Sequence, residues 1–228
     1  MTTKKDDAIN SILYDFEEFA NLVLHQLDLL EGLIASGETT IPKDLGKEII
    51  SNEKRLDKFE VKISDKIVNT IVLYQPVASD IRKIMACYRI VISLERVGDL
   101  IQNVIHFIEN IKSIEIYADL SDVISNMLFQ SINMVRKALL AFTTDDKEYA
   151  IWTIKNDTVV DEMNDKMLRK AIKKSKMADE NKHLLMSYIN MNGMVSNIER
   201  IADHATNIAE AAIYSIEGKD IRHNKKID

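Results

Sequence analysis

The sequence contains four pairs of acidic residues whose spacing could allow them to bind metal ions. In each pair an Asp follows the first acidic residue by four positions. The pairs are Glu53 and Asp57, Glu95 and Asp99, Asp157 and Asp161, and Glu199 and Asp203. On a helix, side chains four apart share a face with Cβ atoms roughly 5–6 Å apart, and paired carboxylates can bridge metals about 3.5–4 Å apart. Oxygen ligands favour hard cations such as Mg²⁺, Ca²⁺, Mn²⁺ or iron, and zinc also accepts carboxylates.

The pairs belong to an internal repeat with an offset of 104 positions. This offset carries Glu95, Arg96, Asp99 and Asn103 onto Glu199, Arg200, Asp203 and Asn207, all identical in type. It also carries Glu53 onto Asp157 and Asp57 onto Asp161. A period near 100 residues is too long for a solenoid unit of about 20–50 residues. The sequence therefore predicts a duplicated protein with two acidic pairs in each half.

A single acidic pair of this spacing usually marks a solvated helix face, so the metal hypothesis depends on the repetition. The structural alternative is an ion-pair network in which Arg96 and Arg200 pair across the junction of the halves. Exposed ion pairs contribute only about 0–1 kcal/mol each. Such a network also would not explain why the acids occur where the two halves match best.

Composition favours long helices, with 46% hydrophobic residues and only 6 Gly and 2 Pro among 228 residues. Apolar residues at helical spacing predict six helices, three in each half. Their approximate bounds are Asp6–Ile34, Lys43–Leu73, Pro76–Ile114, Leu120–Ala141, Asp145–Lys176 and Asp179–Glu217. We expect an all-α fold of two pseudo-symmetric three-helix bundles, residues 1–115 and 116–218, followed by a polar tail at 219–228.

Helices joined by a short turn run antiparallel, which brings residues equidistant from the turn to the same level. The turn between the second and third helices centres near Gln75, with Glu53 and Asp57 about 20 residues before it and Glu95 and Asp99 about 20 after it. A turn near Ala178 does the same for Asp157 and Asp161 with Glu199 and Asp203. The two pairs of each half should therefore meet across a helix interface.

The third helix carries two apolar faces, which indicates contacts on two sides. One face has Ile84, Tyr88, Val91 and Ile92, and the other has Ile90, Leu94, Val97, Ile101 and Ile108. The sixth helix repeats the second face with Met194, Ile198, Ile201, Ala205 and Ala212. We therefore expect the third and sixth helices to be central, each between its own bundle and the other half.

Several function classes are disfavoured by the sequence. A net charge of −6 without a basic stripe argues against nucleic acid as a partner. The single cysteine, Cys87, excludes an internal disulfide. The absence of a signal-like segment and of an 18-residue apolar run predicts a cytoplasmic protein. Without a nucleotide-binding or triad motif, we expect no enzyme.

Two histidines lie near acidic residues but are not expected to bind metal. We expect His204 to be a surface or network residue. The Glu-x-x-His spacing at Glu180 and His183 occurs only once, whereas di-iron bundles need two copies.

These residues resemble the PhoU family of bacterial phosphate-transport regulatory proteins. The resemblance lies in E-R-[VI]-[GA]-D-x-x-x-N-[VI] at Glu95–Val104 and Glu199–Ile208, and in the acidic pair on each preceding helix. It also includes Q-P-V-A-S-D-I-R at Gln75–Arg82, a segment that has no counterpart in the second half around Asp179–Ser187. If that segment contacts a partner, only the first half does so.

The resemblance implies two three-helix bundles that bind multinuclear iron or zinc clusters through the acidic motifs, with manganese or magnesium also compatible. It further implies a negative regulator, often dimeric, that links the phosphate ABC transporter ATPase to a sensor histidine kinase. Three alternatives stay open: a carboxylate-bridged metalloenzyme, an accessory protein of another phosphate carrier, and a helical module whose acids bind nothing.

Overall fold

The structure is a computed structural model that describes residues 3–175 and 182–222. Within these ranges the chain forms six helices and no strand. They are α1 (Lys4–Ser36), α2 (Lys43–Tyr74), α3 (Ser79–Glu109), α4 (Ile114–Thr144), α5 (Lys147–Ser175) and α6 (Lys182–Glu217). The turn placed near Ala178, the start of a helix at Asp179, and Glu180 lie outside the described residues.

Local sequence explains where most helices begin and end. Thr3 and Asp6 form a reciprocal capping box at the start of α1, and Gly37 ends that helix with φ of 70°. Ser113 caps the start of α4 by accepting a hydrogen bond from the Ile116 N–H. Gly218, with φ of 72°, follows α6 as the sequence predicts.

Three predicted helix starts are wrong. The fourth helix begins at Ile114, six residues before the predicted Leu120, and the third ends at Glu109 and not at Ile114. The other two starts differ because of local backbone conformation. The third helix begins at Ser79 and not at Pro76, because Gln75 and Ala78 both take positive φ values, 46° and 45°. Asp145 does not begin the fifth helix; it ends α4 in the left-handed conformation with φ of 54°. The side chain of the next residue, Asp146, accepts a hydrogen bond from the backbone N–H of Glu148 instead.

The six helices pack as two three-helix bundles, α1–α3 and α4–α6, which confirms the predicted fold. The bundles meet along two interfaces, α3 against α6 and α1 against α4. Apolar side chains from both bundles form one continuous core. Helices α3 and α6 are central, as predicted, although Ile92 does not belong to a buried face, since 37% of its surface is exposed.

The short linker between the bundles is fixed to α6 by side-chain hydrogen bonds. The Ser187 hydroxyl accepts hydrogen bonds from the backbone N–H groups of Lys112 and Ser113, both at 3.0 Å. The Asn190 amide donates to the carbonyl oxygen of Asn110 at 2.8 Å. The linker is therefore part of the packed structure, and it holds the two halves in one fixed arrangement.

Candidate metal centre

The first acidic cluster consists of Glu53 and Asp57 from α2 with Glu95 and Asp99 from α3. The carboxylates lie close enough for the charges of Asp99, Asp57 and Glu95 to raise the pKa of Glu53, although burial is the largest cause. Burial and the neighbouring acid Asp99 likewise raise the pKa of Glu95. The turn near Gln75 thus brings the two pairs level, as the distances along the sequence predict.

Glu53 is the least exposed member of this cluster, at 9% of its surface. Its Oε2 atom is buried and has no hydrogen-bond partner. A buried carboxylate oxygen that lacks a partner is costly unless something positive neutralises it. The first cluster therefore has an unmet need for a proton or a cation.

Gly98 allows α2 and α3 to approach each other at the first cluster. A Cβ atom at Gly98 would lie 2.9 Å from Leu56 Cδ1 and 3.2 Å from Glu53 Oε2. The corresponding residue in the second half is Ala202. Gly98 therefore permits close helix approach in the first half, directly beneath a candidate ligand.

Gly98→Ala is expected to destabilise the protein by about 1 kcal/mol, whereas Gly32→Ala should stabilise it by a similar amount. Alanine gains about 1 kcal/mol over glycine within a helix, but overpacking costs about 1–3 kcal/mol. A Cβ atom at Gly32 meets nothing within 4 Å. Urea denaturation of both variants measures the difference, and a stabilised Gly98→Ala protein would contradict the close approach.

The second acidic cluster consists of Asp157 and Asp161 from α5 with Glu199 and Asp203 from α6. One carboxylate oxygen from each of Asp157, Asp161 and Asp203 lies within 4.8 Å of the other two. Glu199 is near enough for its charge to raise the pKa of both Asp161 and Asp203. Three oxygens this close form a cradle into which one or two cations can fit.

Asp203 has a strongly raised pKa, and burial is its largest cause. Burial and the charges of Asp157, Glu199 and Asp161 raise its pKa to about 6, and Arg200 opposes them only in part. Burial also raises the pKa of Asp157, while a hydrogen bond from the Thr206 hydroxyl at 3.1 Å lowers it. Thr206 is a site residue that the motif did not reveal because the two halves differ in type there; its counterpart, Gln102, forms a side-chain hydrogen bond that lowers the pKa of Glu53 against the larger effect of burial.

The two clusters differ in how arginine contacts them. Arg96 lies beside two acids of the first cluster, with Nε 3.4 Å from Glu95 Oε2 and Nη1 3.2 Å from Asp99 Oδ2. These ion pairs remain on α3, so the alternative in which Arg96 pairs across the junction is wrong. Its side chain is 58% exposed, so each pair contributes at most about 1 kcal/mol.

His204 lies between the halves and does not join the acids as a ligand. It is half-buried, its Nδ1 atom has no hydrogen-bond partner, and burial with the nearby charges of Arg200 and Arg96 lowers its pKa. Among the described residues, the one group of three or more close potential ligands contains only aspartates. That group belongs to the second cluster, and the four acids of the first cluster do not bring three ligand oxygens within 4.8 Å of one another.

Sequence comparison identifies the family. The pattern of the PhoU domain matches this chain twice, at residues 16–108 and again at 124–212, and each match contains one acidic cluster. The chain belongs to the PhoU family. This confirms the resemblance found in the repeated motifs.

Curated PhoU relatives span most of the chain. A Burkholderia sp protein, called a phosphate-specific transport system accessory protein PhoU homolog, is 27% identical over 98% of this chain and 93% of its own length. A Thermotoga maritima homolog of the same description is 26% identical over 97% and 89%. A Pseudomonas aeruginosa homolog is 30% identical over 78% and 73%.

Solved PhoU structures share the fold. The crystal structure of PhoU from Pseudomonas aeruginosa has a TM-score of 0.77 at 22% identity, covering 94% of this chain and 99% of that one. A phosphate transport system regulatory protein PhoU from Streptococcus pneumoniae has a TM-score of 0.80 at 19% identity, covering 95% and 99%. In the part of this PhoU chain that the structure describes, every helix is too short or too polar to cross a membrane.

Proposed function

We propose that this protein is a metal-binding accessory protein of a phosphate transport system. It acts without catalysis, as a negative-regulatory adaptor between the phosphate ABC transporter ATPase and its sensor histidine kinase. The observation that supports metal binding best is the cradle of three aspartate oxygens within 4.8 Å of one another. Membership of the PhoU family, whose named relatives are phosphate transport accessory proteins, supports the transport role.

The residues of both clusters fit a hard cation. They offer carboxylate oxygens without sulfur or imidazole, a donor set that suits iron, manganese or magnesium and that zinc accepts. In the first cluster, the buried Oε2 of Glu53 lacks a partner that a cation would supply. Iron or zinc is the family's expected choice. When bound, the metal supplies positive charge that joins α2 to α3 and α5 to α6.

A regulatory role fits these ligands better than oxygen-activating catalysis. Bundle enzymes of the di-iron type use two Glu-x-x-His motifs whose side chains converge inside the bundle. The acids here lie on the outer part of helix interfaces, and Asp57, Asp161 and Asp203 are exposed. We therefore propose that the metals fix the relative positions of helices and that function is carried out through protein contacts.

The turn before α3 provides a surface for such contacts. Leu73 and Val77 are each 70% exposed at this turn, and Val72 is 67% exposed. The strained backbone of Ala78, with φ of 45°, holds Val77 outward. This surface supports an adaptor role in the cytoplasm, and a homodimer would present it twice.

Arg96→Met is expected to tighten metal binding at the first acidic cluster about two- to fivefold. The guanidinium beside Glu95 and Asp99 must move before a cation enters, and an exposed ion pair is worth at most about 1 kcal/mol. Calorimetric titration with Mn²⁺ should resolve the change. Arg169→Met, far along α5, is the matched control, and weaker binding in Arg96→Met would contradict the competition.

A pull-down with the transporter ATPase and the sensor kinase tests the adaptor role. Metal-loaded protein is expected to retain both partners, and Val77→Asp should reduce capture at least tenfold. Val159→Asp, on exposed α5 surface, is the control and should bind normally. Metal analysis of the same preparations tests the clusters separately, and a protein that captures neither partner would contradict the adaptor role whatever its metal content.

A further inference from the structure

A second kind of site lies at the junction of α3 and α6, away from the acidic clusters. It is a pocket of about 170 Å³ lined by Arg89, Ser93, Asn207, Ala211 and Arg222. Two guanidinium groups, a hydroxyl and an amide surround one methyl group. No carboxylate belongs to this lining, in a protein whose net charge is −6.

The two arginines of the pocket are held in place by contacts outside it. Arg222 donates from Nε to Asp220 Oδ1 at 2.9 Å and from Nη2 to Asp220 Oδ2 at 2.5 Å. Arg89 Nη1 lies 3.5 Å from the same carboxylate, and its guanidinium carbon lies 4.8 Å from the Tyr214 ring centroid. The contacts fix both side chains before any ligand arrives, which reduces the entropic cost of binding.

The chain after α6 is what brings Arg222 to this position. Gly218 turns the backbone at the end of the helix. Ile221 then packs against the hydrophobic core, so this first part of the predicted polar tail is anchored. Two acids outside the lining act on Arg222, namely Asp220 and Glu210, so the two arginines and these two acids sum to no net charge, while the lining itself carries only positive side chains.

The pocket is not a general consequence of the duplicated fold. The offset of 104 relates Arg89 to Gly193 and Ala211 to Phe107. At that related position the Phe107 ring fills the space, since a Cβ atom at Gly193 would lie only 2.6 Å from its Cε1. One half therefore closes the junction with an aromatic ring, and the other opens it and lines it with donors.

The geometry points to a binding site for a small tetrahedral oxyanion of the phosphate class. Guanidinium forks bind phosphate oxygens through paired, charge-assisted hydrogen bonds, and Ser93 with Asn207 can donate to the remaining oxygens. A volume of about 170 Å³ is below the roughly 300 Å³ of typical drug-sized ligand pockets. The site therefore suits the free anion and is too small for a nucleotide.

Equilibrium dialysis of chelator-treated protein with inorganic phosphate tests the site without metal at the clusters. Saturable binding of one phosphate per chain is expected. Arg89→Gln and Arg222→Gln should each weaken binding at least about tenfold, since a hydrogen bond to a charged group is worth about 1.5–3 kcal/mol. Arg169→Gln is the control and should leave binding unchanged. Binding that needs added metal, or that survives both substitutions, would overturn the proposal.

Replacing the pocket residues by their counterparts at the related position in the duplicated fold tests the pocket itself. Arg89→Gly with Ala211→Phe reproduces the Gly193 and Phe107 pair, and it should abolish phosphate binding. A thermal midpoint close to that of the unsubstituted protein would show that the double variant folds normally. If it does not fold normally, the Arg89→Gln and Arg222→Gln variants provide the test. Undiminished phosphate affinity in a folded double variant would contradict the assignment.

Discussion

Replacing Asp157 and Asp203 together by Asn is expected to weaken metal binding at the second acidic cluster by more than about 100-fold. The two substitutions remove two of the three carboxylates whose oxygens lie within 4.8 Å of one another. Even residues that only support metal ligands are commonly worth about 10–100-fold in affinity. Calorimetric titration with Mn²⁺, followed by metal analysis after dialysis, should show one class of site where the original protein shows two.

The same double variant should be more stable than the original protein once metal is removed. Burial, and after it the charges of neighbouring acids, raise the pKa of Asp203 to about 6, and neutral amides of similar shape reduce both costs. Because Asp203 is solvent-exposed, screening limits the gain to about 1–2 kcal/mol.

Asp122→Asn, which alters an exposed acid on α4 outside both clusters, is the matched control and should change neither property. If metal-free Asp157→Asn/Asp203→Asn were less stable than the original, the acids would have a structural role in place of a binding role. Unchanged metal affinity in the same variant would exclude this cluster as the metal site.

The helices could be predicted from sequence because their cause is local and repeated along the chain. Apolar residues at helical spacing fix which face of each helix is buried, and few glycines or prolines interrupt the pattern. Helix ends depend on single residues, so they were less predictable. Nothing in the type of Ala78 indicates a positive φ, whereas Asp is among the types that adopt one more readily; both Ala78 and Asp145 take a positive φ where the chain must turn.

The meeting of the acidic pairs was also predictable, because antiparallel helices convert equal distances from a turn into equal height. The contacts within each cluster were not. That Arg96 lies beside Glu95 and Asp99, while Thr206 bonds to Asp157, depends on side-chain conformations. The motif does not specify such contacts, although Gln102 and Thr206, which the offset of 104 relates, act alike on Glu53 and Asp157.

The oxyanion pocket could not be predicted from sequence patterns. It depends on the sizes of Arg89 and Ala211 across a helix interface, and on a turn after Gly218 that delivers Arg222. Each residue is ordinary in the sequence, and the five lining residues belong to three separate segments of the chain. Only the packed arrangement of α3 against α6 brings them together.

In the presence of a chelator, unfolding is expected at a higher temperature at pH 5 than at pH 8, and excess Mn²⁺ should reverse that order. The acids with raised pKa values are Glu53, Glu95, Asp157, Asp161 and Asp203. A carboxyl whose pKa is higher when folded favours folding while protonated. Its contribution is complete below its unfolded pKa near 4 and disappears as pH rises through its folded pKa, about 6 for Asp203.

Other titratable groups also change the stability with pH, so they limit the pH range of the test and require a control. Neighbouring lysines and Arg222 lower the pKa of Asp15 and Asp220, so their contributions are lost only as pH falls below about 4. The lowered pKa of His204 opposes the predicted trend below its ordinary value of 6.5. At each pH, the thermal midpoint of the Asp157→Asn/Asp203→Asn variant is subtracted from that of the unsubstituted protein. The contribution of His204 cancels in this difference, because both proteins retain it.

Metal changes the sign of the pH dependence because it binds deprotonated carboxylates. At pH 8 the acids are charged, so Mn²⁺ stabilises the folded protein most where repulsion destabilises it most. For a chain of this size about 1 kcal/mol corresponds to roughly 2–4 °C, so the difference between original and variant proteins should be about 3–6 °C in each direction. A thermal midpoint that rises with pH in the presence of chelator would mean that the carboxylates do not repel one another. A midpoint that Mn²⁺ leaves unchanged at pH 8 would mean that they do not bind a cation.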